Sequence, residues 1–210
     1  MKALKRRLAA VCAVLLVSVL TGCATKMSSE ERAALKRISI GAIELPEKPL
    51  VLTDGTAGSF FIAGPLGVAI AQGTSDMPTA YKEHVAKHKI DLPSYVRREL
   101  VSQLKAKGIE VADGAGQGHP KLVVQVMQYG ITGNIFSSEE RWPQVWLRLS
   151  LVKDSGERMW LGYAAAHIDE GVMKTVERRP LADFFNDPAL LEREVKKVTK
   201  LIVSAATKDL

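Results

Sequence analysis

The sequence VWLRLSLVKDSGERMWLGYAAA, residues 145–166, contains the most regular pattern of this chain. From Val145 to Leu151, branched apolar residues occupy every second position, which predicts a half-buried strand. The following Asp154-Ser155-Gly156 is typical of a hairpin turn. A returning strand is predicted up to residue 166, so this stretch indicates two antiparallel neighbours in a sheet.

Upstream of the hairpin, three further segments are typical of strands. Leu122–Ile131 (LVVQVMQYGI) is apolar on both alternating faces at its start, as in a central strand. Ile109–Val111 predicts a short strand. Ile38–Leu45 (ISIGAIEL) is rich in apolar residues and ends before a proline, and Leu50–Leu52 is expected to extend it after a kink.

Two longer helices are predicted from their capping residues and apolar spacing. In Asp91–Lys107, Asp91 can cap the helix, Pro93 fits the first turn, and a glycine follows the last turn. Asp187-Pro188 begins the last helix in the same way. The residues expected to face the core are Leu92, Val96, Leu100 and Leu104 in the first helix and Leu191, Val195, Val198 and Ile202 in the second.

The order of these elements predicts a single α+β domain over residues 38–210. Its sheet is expected to be mostly antiparallel or mixed, with about four to six strands, and the two main helices are expected to pack on one face. A shorter helix is predicted at residues 78–89, and residues 169–185 give no clear pattern.

The first 22 residues have the three parts of a secretory signal. A basic segment from Lys2 to Arg7 is followed by an apolar stretch that is too short to span a bilayer as a helix. The stretch ends in Leu20-Thr21-Gly22-Cys23, which resembles the lipobox of bacterial lipoproteins.

This resemblance implies cleavage before Cys23, a diacylglycerol on its sulfur and an acyl chain on its new amine. Several acyl chains together anchor a protein stably, because each buried methylene adds about 0.8 kcal/mol. The residue after Cys23 is Ala24 rather than aspartate, which implies export to the outer membrane. Residues 23–37 are then expected to form a lipidated N-terminus and a polar tether.

The composition excludes several classes of protein. The chain is 47% hydrophobic and 25% charged, which is ordinary for a globular domain. Its net charge is +6, but the signal contributes four basic residues and no acid, so the rest carries 29 − 4 = 25 basic against 23 acidic residues. This balance does not indicate nucleic-acid binding. With Cys12 removed and Cys23 acylated, no thiol remains for a disulfide or a metal site.

An apolar, glycine-rich insert separates the first strand from the helices. Gly55–Gly73 reads GTAGSFFIAGPLGVAIAQG and lies within the insert 53–78. It predicts either a loop or short helix packed into the core, or an apolar surface for a partner, a self-contact or the bilayer interface. The residues of the possible interaction surface are Phe60, Phe61, Ile62, Leu66, Val68 and Ile70.

The whole arrangement is similar to small uncharacterised lipoproteins of the bacterial envelope. It more distantly resembles the N-terminal periplasmic domain of TolB and the auxiliary lipoproteins of lipid transporters, from which the large insert departs. These families imply binding and assembly roles and offer no catalytic residues. The segments that carry the resemblance are the lipobox, Ile38–Leu45, Gly55–Gly73, the helix end Leu104–Ile109 and the strand end Gln128–Gly130.

Side chains that carry chemistry are few. His84 and His88 are spaced to share a helical face, but Val85 stands where a zinc hydrolase needs glutamate, so surface or capping histidines are expected, with a weak metal site as the alternative. Three tryptophans lie near the hairpin. They predict core or sheet-face packing, or an exposed aromatic patch for a peptide, glycan or lipid; they are Trp142, Trp146 and Trp160.

The sequence thus favours a non-enzymatic lipoprotein, anchored in the outer membrane and facing the periplasm, that binds or assembles with an envelope complex. The alternative is a carrier of lipid or of a small apolar ligand. Neither a cofactor nor a metal ion is expected. The expected partners are the membrane, through the N-terminal lipid, and an envelope protein or a second copy of the chain, without nucleic acid.

Overall fold

The computed structural model describes residues 27–52, 76–112, 118–133, 140–166 and 170–210. The strands in this part of the chain are β1 (Arg37–Glu44), β2 (Leu50–Val51), β3 (Glu110–Ala112), β4 (Lys121–Gly133), β5 (Arg141–Val152) and β6 (Arg158–Ala165). The helices are α1 (Ser29–Ala34), α2 (Met77–Lys87), α3 (Leu92–Ala106), α4 (Glu170–Thr175), α5 (Leu181–Asn186) and α6 (Pro188–Ala206).

The described strands form one six-stranded mixed sheet. Its order is β3-β1-β4-β5-β6, and β2 lies beside the far end of β4. Strand β1 is parallel to both β3 and β4, whereas β4, β5 and β6 are antiparallel neighbours. This arrangement confirms the predicted α+β class with a mixed sheet.

The two long helices pack on the sheet and on each other. Helix α6 contacts β5 and β6, and α3 contacts β1 and β3. Both helices begin at the predicted caps: the Asp91 carboxylate accepts a hydrogen bond from the Ser94 amide at 3.2 Å, and Asp187 accepts from the Ala189 and Leu190 amides at 3.0 Å. These carboxylates satisfy amides that have no partner within the first helical turn.

Strand β5 separates two different environments. Its residues that point toward α6 are buried, and those between them are partly exposed. We call the side that faces α6 the core face and the other side the open face. The core-face residues are Val145, Leu147, Leu149 and Leu151, and the partly exposed residues of the open face are Trp146, Arg148, Ser150 and Val152.

The expectation that Leu50–Leu52 extends the first strand after a kink is confirmed. Strands β1 and β2 are both parallel to β4 and follow the edge of β4 that β5 does not occupy, with Glu44 opposite Gln125 and Leu50 opposite Gly130. Gly130 has φ +131°, and a Cβ at this position would overlap the carbonyl oxygen of Leu50. A glycine is therefore required where β2 joins the sheet.

Two regions differ from the secondary structure that the sequence predicts. Strand β5 begins at Arg141, four residues before the predicted start, and includes Pro143 opposite Ile131. Residues 169–185, which give no clear pattern, contain the short helices α4 and α5. The buried Leu181, Phe184 and Phe185 of α5 explain this helix, because short helices gain most of their stability from packing.

Candidate functional site

The residues that the sequence singles out for lipidation and interaction lie outside the described residues. This applies to Cys23 and to the insert positions Phe60, Phe61, Ile62, Leu66, Val68 and Ile70. Their roles stay predictions. Among the described residues, candidate sites lie on the sheet, its helices and their connections.

The structure distributes the three tryptophans over different environments. Trp160 is buried on β6, and Trp142 is buried at the start of β5, where the Arg178 guanidinium lies 5.5 Å from its ring centroid. Only Trp146 is partly exposed. Trp142 and Trp160 therefore pack in the core or on a sheet face, as the first alternative predicts. Trp146 lies on the open face.

Trp146 is part of an aromatic pair across β5 and β6. Its ring packs edge-on against that of Tyr163, with centroids 5.5 Å apart and an interplanar angle of 88°. The register explains the contact: Trp146 lies opposite Ala165 and Arg148 lies opposite Tyr163, so the two rings are diagonal neighbours on one face. Tyr163 is 48% exposed despite this contact.

A β-bulge in β4 brings a methionine to the same face. The pairing of β4 with β5 shifts between Val126 and Gln128, which leaves Met127 as the extra residue. Val126 and Tyr129 on either side are buried, so the two residues between them point away from the core. Met127 is 43% exposed.

Arg148 supplies the charge at the centre of this face. It lies between Gln125 of β4 and Tyr163 of β6, and Gln125 lies opposite Glu44 of β1, so one row of polar side chains crosses four strands. Arg148 is half-buried and forms no ion pair with a described residue. We call Met127, Trp146, Arg148 and Tyr163 together the open-face patch.

The sequence analysis missed most of this patch. It identified Trp146 and left Tyr163 and Met127 without a role. The signal for Tyr163 was its place in the hairpin, because a register derived from the turn would have set it beside Trp146. No comparable signal exists for Met127, since its exposure depends on a bulge.

The structure contradicts the expectation of two surface or capping histidines. His88 is exposed at the C-cap of α2, as expected, but His84 is buried. The His84 ring lies between His88 and Phe185, at centroid distances of 4.6 and 5.1 Å, because α2 packs against α5. Burial, and then the neighbouring His88 and Lys87, lower the pKa of His84 to about 4. The ring is therefore neutral at pH 7.

Two other classes of site are absent from the described residues. No group of three or more His, Cys, Asp or Glu side chains in them is arranged to hold a metal ion. None of the described helices combines the length and the apolar character needed to cross a membrane.

The chain is remotely similar to several solved structures. The chain is similar to a minor lipoprotein from Acinetobacter baumannii at 10% identity and TM-score 0.38, covering 83% of this chain and 95% of that one. It is similar to PelC from Paraburkholderia phytofirmans, in a dodecamer, at 11% identity and TM-score 0.30, covering 80% and 86%. No protein-family model and no curated protein matches the chain. Neither likeness assigns this chain to a family.

Proposed function

We propose that this chain is a bacterial envelope lipoprotein that binds or assembles with an envelope complex and performs no enzymatic chemistry. It is anchored in the outer membrane through Cys23 and faces the periplasm. The lipobox Leu20–Cys23, after a basic segment and an apolar stretch, supports the anchor.

The open-face patch is the observation that carries the binding role. Methionine, tryptophan, arginine and tyrosine are the residue types that are enriched in the cores of protein–protein interfaces. In this patch they lie side by side on neighbouring strands, and Met127 and Tyr163 are exposed. A contiguous set of this composition supports a protein partner rather than a purely structural face.

The anchor is tested by metabolic labelling with a radioactive or clickable palmitate. Cys23→Ser should abolish the label and release the protein from the membrane fraction. Cys12→Ser is the matched control, because Cys12 lies in the predicted signal, and it should keep the label. Labelled Cys23→Ser protein would contradict the assignment of Cys23.

The binding role is tested by photo-cross-linking in cells. A photoreactive amino acid at position 163 or 127 should capture one reproducible envelope protein. The same group at Lys200, which is exposed on α6, should not capture it. Adducts with the chain itself alone, or the same adducts from Lys200, would contradict an assembly role through this face.

A further inference from the structure

A cavity of about 320 Å³ lies on the helix side of the sheet, away from the open-face patch. It is formed by α2, the turn into α3, α6 and the ends of β1 and β4. Its position on the helix side follows from Tyr129, which lines it and pairs with the core-face residue Val145. The volume is at the lower end of the range for small-molecule sites, about 300–1,000 Å³.

The walls of the cavity are mostly apolar. They come from five separate parts of the fold, and Leu45 among them is 37% exposed. Such a lining favours a ligand with a hydrocarbon part, because burying that part removes apolar surface from water. The apolar lining residues include Leu45, Val85, Ile90, Leu92 and Val195.

Two tyrosines interrupt this apolar lining. Tyr81 is 3% exposed and Tyr129 is 8% exposed, and their ring centroids lie 6.3 Å apart. Neither hydroxyl forms a hydrogen bond with any residue that the structure describes. By contrast, the hydroxyl of Tyr95, outside the cavity, donates a hydrogen bond to Glu192 at 2.8 Å.

The two hydroxyl oxygens are not among the fully buried polar atoms of the described residues that lack a partner, so both keep some accessible surface. A ligand can therefore reach them. Burial raises the pKa of both Tyr81 and Tyr129, so both phenols keep their protons at physiological pH. The cavity thus presents two hydrogen-bond donors to whatever occupies it.

The charges around the cavity favour an anionic ligand. Lys82 and Lys89 line it, and neither forms an ion pair within the described part of the chain. Asp91 also lines it, but its carboxylate caps α3 and accepts hydrogen bonds from the amide of Ser94 at 3.2 Å and from its hydroxyl at 2.5 Å. The two lysines therefore outnumber the single carboxylate, whose oxygens already accept hydrogen bonds from Ser94.

We propose that this cavity binds a small apolar carboxylic acid, of the size of a medium-chain fatty acid. Its carboxylate accepts hydrogen bonds from Tyr81 and Tyr129, Lys82 and Lys89 supply the opposite charge, and its chain lies among Val85, Ile90 and Val195. This binding site goes beyond the proposed assembly role and does not depend on it, because it shares no residue with the open-face patch.

The test uses the full lipoprotein in lipid nanodiscs, labelled with 3-fluorotyrosine. The chain has four tyrosines, so the ¹⁹F spectrum reports each one, and single Tyr→Phe variants assign the signals. Octanoate should shift the signals of Tyr81 and Tyr129 saturably and leave those of Tyr95 and Tyr163 unchanged. Acetate, which has the charge without the chain, should give no saturable shift.

Tyr81→Phe and Tyr129→Phe should each weaken octanoate binding about tenfold or more, since a hydrogen bond to a charged group contributes about 1.5–3 kcal/mol. Without ligand, neither substitution should lower the melting temperature, because each removes an unpaired hydroxyl. Tyr163→Phe is the matched control and should bind octanoate like the parent chain.

Three results would overturn the proposal: no saturable shift with octanoate, an equal response to acetate, or unchanged affinity in both cavity variants. A lower melting temperature for Tyr81→Phe would assign its hydroxyl to structure instead of to a ligand. All of these outcomes are independent of cross-linking at position 163, so the ligand site and the assembly role can fail separately.

Discussion

The two faces of β5 differ in what surrounds neighbouring residues of the same strand. Leu147 and Leu149 are completely buried under α6, whereas Trp146 and Arg148 beside them remain partly exposed. One set of side chains lies beneath a helix, whereas Trp146 of the other set contacts Tyr163 across the neighbouring strand. If the open face binds a partner as proposed, stability and recognition can be changed separately in this protein. Each face can be tested on its own.

The largest effect is expected on the core face at Leu149. Leu149→Ala removes a completely buried side chain beneath α6 and leaves a cavity, which should lower the free energy of unfolding by about 2–5 kcal/mol. Urea unfolding followed by circular dichroism measures this. The neighbouring Ser150→Ala, on the open face, should change stability by less than about 0.5 kcal/mol. Equal losses for both variants would remove the distinction between the faces.

Protonation of His84 should make the free energy of unfolding depend on pH. Its pKa is about 4 in the folded protein and 6.5 in its ordinary state, so the unfolded chain takes up a proton first as the pH falls. The stability that comes from the neutral ring is complete above pH 6.5 and is lost as the pH falls toward 4. The loss should be on the order of 2–3 kcal/mol across this window.

The comparison of two variants isolates this contribution. His84→Leu cannot take up a proton, so its stability should fall less than that of the parent chain between pH 6.5 and 4, as measured by urea midpoints at each pH. His88→Leu, at the exposed cap, removes only a smaller cause of the lowered His84 pKa and should keep most of the dependence of the parent chain. Parallel curves for the parent chain and His84→Leu would show that His84 titrates normally in the folded state.

A smaller loss is expected where the end of α6 meets β6. Gly162 lies on the core face opposite Leu149, and a Cβ there would overlap both the Trp160 ring and the carbonyl oxygen of Ala206. Gly162→Ala should therefore cost about 1–3 kcal/mol, as overpacked sites do. Thermal unfolding measures it. A neutral result would mean that the C-terminal turn of α6 can move away from the sheet without loss.

The elements that local patterns specify could be predicted from the sequence. The alternation from Val145 to Leu151 depends on residues close together in the chain, and so do the capping aspartates and first-turn prolines of α3 and α6. All three elements are present. The continuation of β1 into β2 after a kink could also be predicted, but the need for a glycine at position 130 could not, because it depends on the approach of Leu50 to Gly130. Pairing between distant segments leaves no periodic signal in either one.

In the candidate sites, too, local patterns indicate some residues and only the fold brings the others together. Trp146 was noticeable as a tryptophan in a predicted hairpin, but the burial of His84 depends on α5, which comes from a segment without a clear pattern. The cavity was equally inaccessible to sequence analysis. Its two tyrosines belong to α2 and β4, and only the fold brings positions 81 and 129 to one wall.

The smallest effect on stability is expected on the open face at Tyr163. Because this side chain is 48% exposed, Tyr163→Ala should lose mainly its edge-on contact with Trp146, which corresponds to about 0.5–1.5 kcal/mol. Tyr163→Phe keeps the ring and should be nearly neutral. If the patch binds a partner, Tyr163→Ala should nevertheless reduce capture by a photoreactive group at position 127, although the protein remains folded.

The result at Tyr163 decides what the open face is for. A stable Tyr163→Ala protein that loses its partner would place recognition on this face and stability on the other. A loss of stability as large as that of Leu149→Ala would mean that the open face is itself part of the folding core. In that case Trp146 and Tyr163 pack as structural residues, and the partner surface has to be sought elsewhere on the molecule.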